Sequence, residues 1–196
     1  MTAVPAFVLA VLALLAVPGP TNTLLATSGA AIGMRRSLRL VPAELAGYGL
    51  AIGILMGIVG PLAAQHPIVP ILSKIVASLY LAGSAVALWR QAAREALPGG
   101  APISVRRVFV TTLLNPKALI FAFVIFPRDL ASLPGFAGLF SVLVVGVACS
   151  WITLGSSLSR SAGGFATPAR VSRLAAVALV VFASVMASSA IAAALS

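Results

Sequence analysis

Charge is scarce in this chain, and acidic charge most of all: only 3 of 196 residues are Asp or Glu, and charged residues of both signs make up 8%. A soluble domain carries about 25%. With 61% hydrophobic residues and a mean hydropathy of +1.14, the composition excludes a water-soluble globular domain and implies an integral membrane protein. Cysteine is nearly absent. Cys149 alone cannot form an internal disulfide, and one cysteine with the single His66 cannot make a zinc site, so neither a metal nor a cofactor is expected. Intramembrane hydrolysis would need a nucleophile paired with a base, and the one histidine lies outside the apolar runs beside Pro67, so no enzyme is expected. Residues 1–17 contain no basic residue and their apolar character continues past Pro20, which argues against a cleaved leader.

Long apolar runs are what the chain does have. A bilayer core takes about 20 residues per helix, and cutting at clusters of charge and turn residues leaves six spans, at 4–33, 41–63, 68–89, 107–127, 136–158 and 172–194. The net charge of +10 could suggest nucleic acid, but its placement argues otherwise. Arg35, Arg36 and Arg39 follow the first span, Arg90, Arg94, Arg106 and Arg107 the third, and Arg160, Arg170 and Arg173 the fifth, so 10 of 13 basic residues fall on one side. The positive-inside rule makes those loops cytoplasmic and puts both termini outside. No nucleic-acid partner is expected.

Two spans are interrupted at their centres. The first contains Pro18, Gly19 and Pro20, and the midpoint between Val4 and Arg35 falls at position 19.5. The two prolines leave the carbonyls of Leu14 and Ala16 without helical donors. The fourth span contains Asn115, Pro116 and Lys117, with the midpoint between Arg107 and Arg128 at 117.5, and Pro116 frees the carbonyl of Thr112. Pro20 and Pro116 stand 96 residues apart, close to half the chain. A repeat of three spans follows, inverted in the second copy because three is odd. The expected fold is an all-α polytopic membrane protein of six transmembrane helices in two inverted three-helix repeats. The first repeat covers 1–98, a cytoplasmic linker 99–106, and the second repeat 107–196. Paired interruptions in corresponding segments point to a transporter's substrate site.

Each polar residue at the breaks has two readings. Lys117 lies roughly 15 Å along a helix from the nearest interface, too deep to reach water easily, and such a charge costs about 2.5–3.5 kcal/mol to insert. It either contacts a substrate carboxylate or caps carbonyls released near Pro116. Thr21, Asn22 and Thr23 open the second half of the first span, where free N–H groups favour an anion, and Asn115 precedes the second break. These groups could hold a zwitterion, or repair the broken backbone. Glu44, early in span two, is a candidate to carry a coupling proton, or pairs with Arg35 and Arg39 at the interface. Gly49, Gly53 and Gly57 repeat every four residues and read as a helix-packing face, within the chain or in a homo-oligomer.

"PGPTNTLL", "GMRRS", "YLAGSAVALWR" and "TTLLNPKALIFAFVIFP" together resemble the LysE/RhtB family of bacterial amino-acid exporters, in order and over most of the chain. The resemblance implies an inner-membrane secondary transporter that exports amino acids or similar small metabolites, driven by proton antiport. Pro18, Gly19, Pro20, Asn22, Asn115, Pro116 and Lys117 match the family motifs. Many members carry an aspartate just after a glycine in span two, where this chain has Tyr48 after Gly47. Glu44 then either replaces that acid or the coupling differs, and neutral amino acids are better supported than lysine. A passive channel or a non-transporting scaffold is the alternative.

Overall fold

The computed structural model describes residues 3–66, 68–94, 103–158 and 168–195, and the regular structure among them is helical. Glu95, Arg160 and residues 99–102 of the expected linker lie outside the described residues. Helix α1 (Ala3–Ala16) and helix α2 (Pro20–Ile32) are two halves of the first apolar run, bent by 64° at the Pro-Gly-Pro. Pro20 sits in the first turn of α2, where its missing N–H has no helical acceptor to lose. Gly33, at φ +79°, ends α2 in a conformation that side chains resist, and it turns the chain into the short helix α3 (Met34–Ser37).

A 3-10 turn (Leu38–Leu40), helix α4 (Val41–Ile54), a π-helical turn (Leu55–Val59) and helix α5 (Gly60–Gln65) continue as one apolar rod. Helix α6 (Ile68–Arg94) follows. Helices α7 (Val105–Leu113) and α8 (Lys117–Ile120), the latter extended by a second π-helical turn (Phe121–Ile125), form the second bent pair, at 49°. Helices α9 (Leu133–Leu158) and α10 (Pro168–Leu195) complete the chain. Met34–Leu62 and Leu133–Ser157 are each long and apolar enough to cross a bilayer, and each bent pair is so when taken as one span. Exposed Ile58, Leu79, Val124 and Val142 fit contact with lipid rather than water.

Helix α2 packs on α9, α4 on α7, and α6 on α10. One core gathers Leu24, Leu25, Leu40, Val41, Val108 and Ile152 toward the arginine-rich end of α3. A second gathers Phe7, Val11, Leu15, Tyr48, Phe121, Phe126 and Phe140 on the far side of the breaks. Its rings meet edge to face, Phe121 and Phe140 at 4.8 Å and Tyr48 and Phe121 at 5.5 Å between centroids. Leu81, Ala85, Ala176 and Leu179 form a third between α6 and α10. At the arginine-rich end of these two helices, the Arg173 guanidinium lies 5.7 Å from the Trp89 ring centroid.

The close helix crossings are made by glycines other than those expected. A Cβ at Gly29 would fall on the carbonyl of Ile152, and one at Gly155 on the carbonyl of Ala26, so α2 and α9 touch backbone to backbone. At Gly47 a Cβ would stand 2.8 Å from Thr112 Cβ and 2.9 Å from the Phe109 carbonyl oxygen. By contrast, a Cβ at Gly49, Gly53 or Gly57 would meet nothing within 4 Å. The four-residue stripe is therefore not a packing face within this chain. It is exposed, which corrects the expectation of packing within the chain and leaves the homo-oligomer reading as it stood. Gly155→Leu should destabilise the protein by about 3 kcal/mol or more, since no nearby side chain can yield. Gly49→Ala should leave stability unchanged or slightly raised. Thermal unfolding in detergent of both variants beside the parent checks the contrast.

Candidate functional site

Between the two larger cores lies a layer of buried polar side chains: Thr21, Asn22, Thr23, Glu44, Thr112, Asn115 and Lys117. The first break explains half of it. With Pro18 and Pro20 unable to donate, the carbonyls of Leu15 and Val17 are taken up by Asn22, whose Nδ2 donates to Leu15 at 2.7 Å and Val17 at 3.0 Å. Lys117, on the first turn of α8, donates from Nζ to the same Val17 carbonyl. Its chain runs past Gly19, where a Cβ would stand 3.4 Å from Lys117 Cε and 3.5 Å from Nζ. The two breaks are thus joined to each other across 100 residues of sequence.

At the second break, Asn115 organises the backbone. Its N–H returns to Thr112 O at 3.0 Å, its carbonyl accepts from Ala118 N at 3.0 Å, and its Oδ1 accepts from Lys117 N at 3.1 Å. The carbonyl of Thr112 is therefore partnered, and those of Leu113 and Leu114 are the ones whose helical donors have gone elsewhere. Since Oδ1 is the acceptor, the amide orientation is set, and Nδ2 donates to Tyr48 OH at 3.2 Å and Thr21 Oγ1 at 3.3 Å. Thr112 Oγ1 donates to Val108 O at 2.8 Å, so its 3.1 Å contact with Thr21 Oγ1 has Thr21 as donor. The result is a directed chain from Asn115 through Thr21 and Thr112 to the Val108 carbonyl.

Two polar atoms stand outside this chain. Thr23 Oγ1 and Glu44 Oε2 are buried without a hydrogen-bond partner. Glu44 lies one turn before Tyr48 on α4 and is buried in the same layer as Lys117. Arg35 and Arg39 are exposed while Glu44 is 2% exposed, so the interfacial ion-pair reading of Glu44 is corrected: it faces the breaks. A cavity of about 630 Å³ reaches the second break from the α6 side, walled by Leu55, Val76, Tyr80, Leu113, Leu114 and Asn115.

Of the residues marked in the sequence, Gly19, Thr21, Asn22, Asn115 and Lys117 come together here, while Pro18, Pro20 and Pro116 shape the backbone, the Pro116 carbonyl accepting from Leu119 N at 3.1 Å. Three members of the layer were not marked as site residues: Tyr48, the Thr112 hydroxyl and the Val17 carbonyl. Their traces in sequence are spacing, Tyr48 one turn after Glu44 and Thr112 one turn before Pro116, and for Tyr48 its place after Gly47 where many family members carry an aspartate. Asn22→Leu leaves Leu15 without its donor and should cost about 1–3 kcal/mol, whereas Thr23→Val loses no hydrogen bond and should cost little. Denaturation midpoints of the two purified variants test this, and equal losses would contradict the geometry.

The apolar helices make this a membrane-embedded protein. No curated protein and no solved structure matches the chain. A family model for the LysE type translocator matches residues 12–192, a stretch that holds both breaks and the whole polar layer. The chain belongs to the LysE type translocator family.

Proposed function

We propose that this protein is a secondary transporter of the bacterial inner membrane that exports neutral amino acids or similar small zwitterions in exchange for protons. The observation that carries this reading is the joining of two half-helix breaks by Lys117 and Val17 in the centre of the bundle. Broken helices at corresponding places are how transporters expose backbone to a substrate at membrane depth. The described helices suit two inverted three-helix repeats, with α1–α2 matched to α7–α8 and α6 paired with α10 about the axis between them.

The chemistry supports a zwitterion. No side chain caps the first turn of α2, so N–H groups at Thr21 and Asn22 and the positive end of the helix favour a carboxylate. Lys117 uses one donor on Val17 and has others for that carboxylate. An ammonium finds acceptors in the carbonyls of Leu113 and Leu114, which lost their helical donors, and in Glu44, which has an unpartnered oxygen. The apolar walls of the adjoining cavity suit a neutral side chain. Glu44, buried one turn before Tyr48 with an unpartnered oxygen, is the group in this layer that can take and release the coupling proton.

Proteoliposomes loaded with mixed amino acids, with and without an imposed pH gradient, test the reading. The parent should release a subset of neutral amino acids faster when the gradient is present. Lys117→Met should lower that release at least tenfold at equal abundance in the membrane. Glu44→Gln should keep exchange of the same compounds and lose the stimulation by the gradient. Release from the parent that ignores the gradient would favour a passive channel. No release of any amino acid beyond that of empty liposomes would sink the substrate assignment.

A further inference from the structure

We propose that the cavity beside the second break takes up the side chain of the exported compound, and that the substrates are amino acids with large aliphatic side chains rather than hydroxylated, amide or charged ones. The inference rests on the zwitterion reading above.

The cavity, of about 630 Å³, is bounded by the rod of α4 and α5, by helix α6, and by the second bent pair on both sides of its break. Pro116 and Ala118, the neighbours of Lys117 on either side, both line it, as does Asn115, so the space adjoins the polar layer. Leu113 and Leu114 line it too. Theirs are the carbonyls without helical donors, because Lys117 N donates to Asn115 Oδ1 and Ala118 N to the Asn115 carbonyl. An ammonium held on those carbonyls and a carboxylate on Lys117 would direct the side chain of the bound compound into this space.

The walls decide what that side chain can be. Leu55, Leu72, Val76 and Leu119 are aliphatic, and of the lining residues only Asn115 and Tyr80 carry a polar side chain. Both are engaged already. Asn115 commits Nδ2 to Tyr48 OH and Thr21 Oγ1, and its Oδ1 accepts from Lys117 N. The Tyr80 hydroxyl is bonded to Ser84, one turn further along α6. A hydroxyl or amide brought into this space gives up water and finds no free side-chain partner, whereas each CH2 group buried there gains about fourfold in affinity. The volume falls within the range of small-molecule sites, about 300–1,000 Å³, and suits a leucine or methionine side chain better than the single methyl of alanine.

Near-isosteric pairs loaded together into proteoliposomes, valine with threonine and leucine with asparagine, separate polarity from size. The ratio of initial rates in a mixed load is the ratio of kcat/KM, whatever the amount of protein. With release from empty liposomes subtracted, valine should leave at least tenfold faster than threonine, and leucine at least tenfold faster than asparagine. Val76 is 66% exposed, so Val76→Phe should keep the parent's abundance while filling part of the space, and the leucine-to-alanine ratio should fall at least fivefold. Val142→Phe, at an exposed position of α9 away from the cavity, should keep the parent's ratios. Binding is read separately from the unfolding midpoint in detergent, which leucine should raise, asparagine should not, and Val76→Phe should make indifferent to leucine. Equal rates within the pairs, or ratios that Val76→Phe leaves unchanged, overturn this proposal, while gradient-stimulated release keeps the exporter reading. If leucine raises the midpoint and Val76→Phe abolishes the rise, yet no amino acid is released, the site stands and the exporter reading falls. Neither release nor a midpoint shift overturns both.

Discussion

A backbone carbonyl in the hydrocarbon layer must be given a donor by the protein itself, and the rest of this structure is arranged around that requirement. Pro18 and Pro20 break the first helix, and at that break Asn22 donates to the carbonyls of Leu15 and Val17 and Lys117 to that of Val17. The solution works in both directions. A lone lysine at that depth would cost about 2.5–3.5 kcal/mol on insertion scales, and the Val17 carbonyl gives its ammonium a partner. Two unfavourable groups, contributed by opposite halves of the chain, offset each other at the point where the halves meet.

In the proposed exporter that pairing sets up exchange: the group on the Val17 carbonyl is an ammonium, as an amino acid's would be, and a substrate carboxylate would offer Lys117 another partner. Around this centre, the directed chain from Asn115 to Val108 and the double contact of Asn22 hold the frame, whereas Thr23 Oγ1 and Glu44 Oε2 have no partner to lose. Rigid and unsatisfied groups lie side by side. The first keep the breaks from collapsing into continuous helix, and the second leave polar capacity for something that comes and goes.

Backbone contact through Gly29 and Gly155 closes α2 on α9 toward the arginine-rich end. The edge-to-face cluster of Tyr48, Phe121 and Phe140 lies beside the polar layer, and Tyr48 takes part in both.

Much was legible in the sequence because it rests on local chemistry. Scarce charge and long apolar runs imply a membrane protein, arginine spacing marks one end, and a proline abolishes a helical donor wherever it stands, so both breaks could be placed by residue number. Who would satisfy the breaks was not legible. Side-chain donors go to the carbonyls of Leu15 and Val17, because the side chain of Asn22 folds back over that turn, and the cation on Val17 comes from 100 residues away. Glu44 could be assigned to the arginines beside it in sequence until the rotation of α4 turned it inward. The glycine stripe looked like a packing face, since periodicity shows that small residues share a face but not what the face meets. Sequence determined where this backbone breaks, because the loss of an N–H is a property of one residue. Tertiary structure decided what fills the breaks, because a donor's position depends on how distant helices are packed.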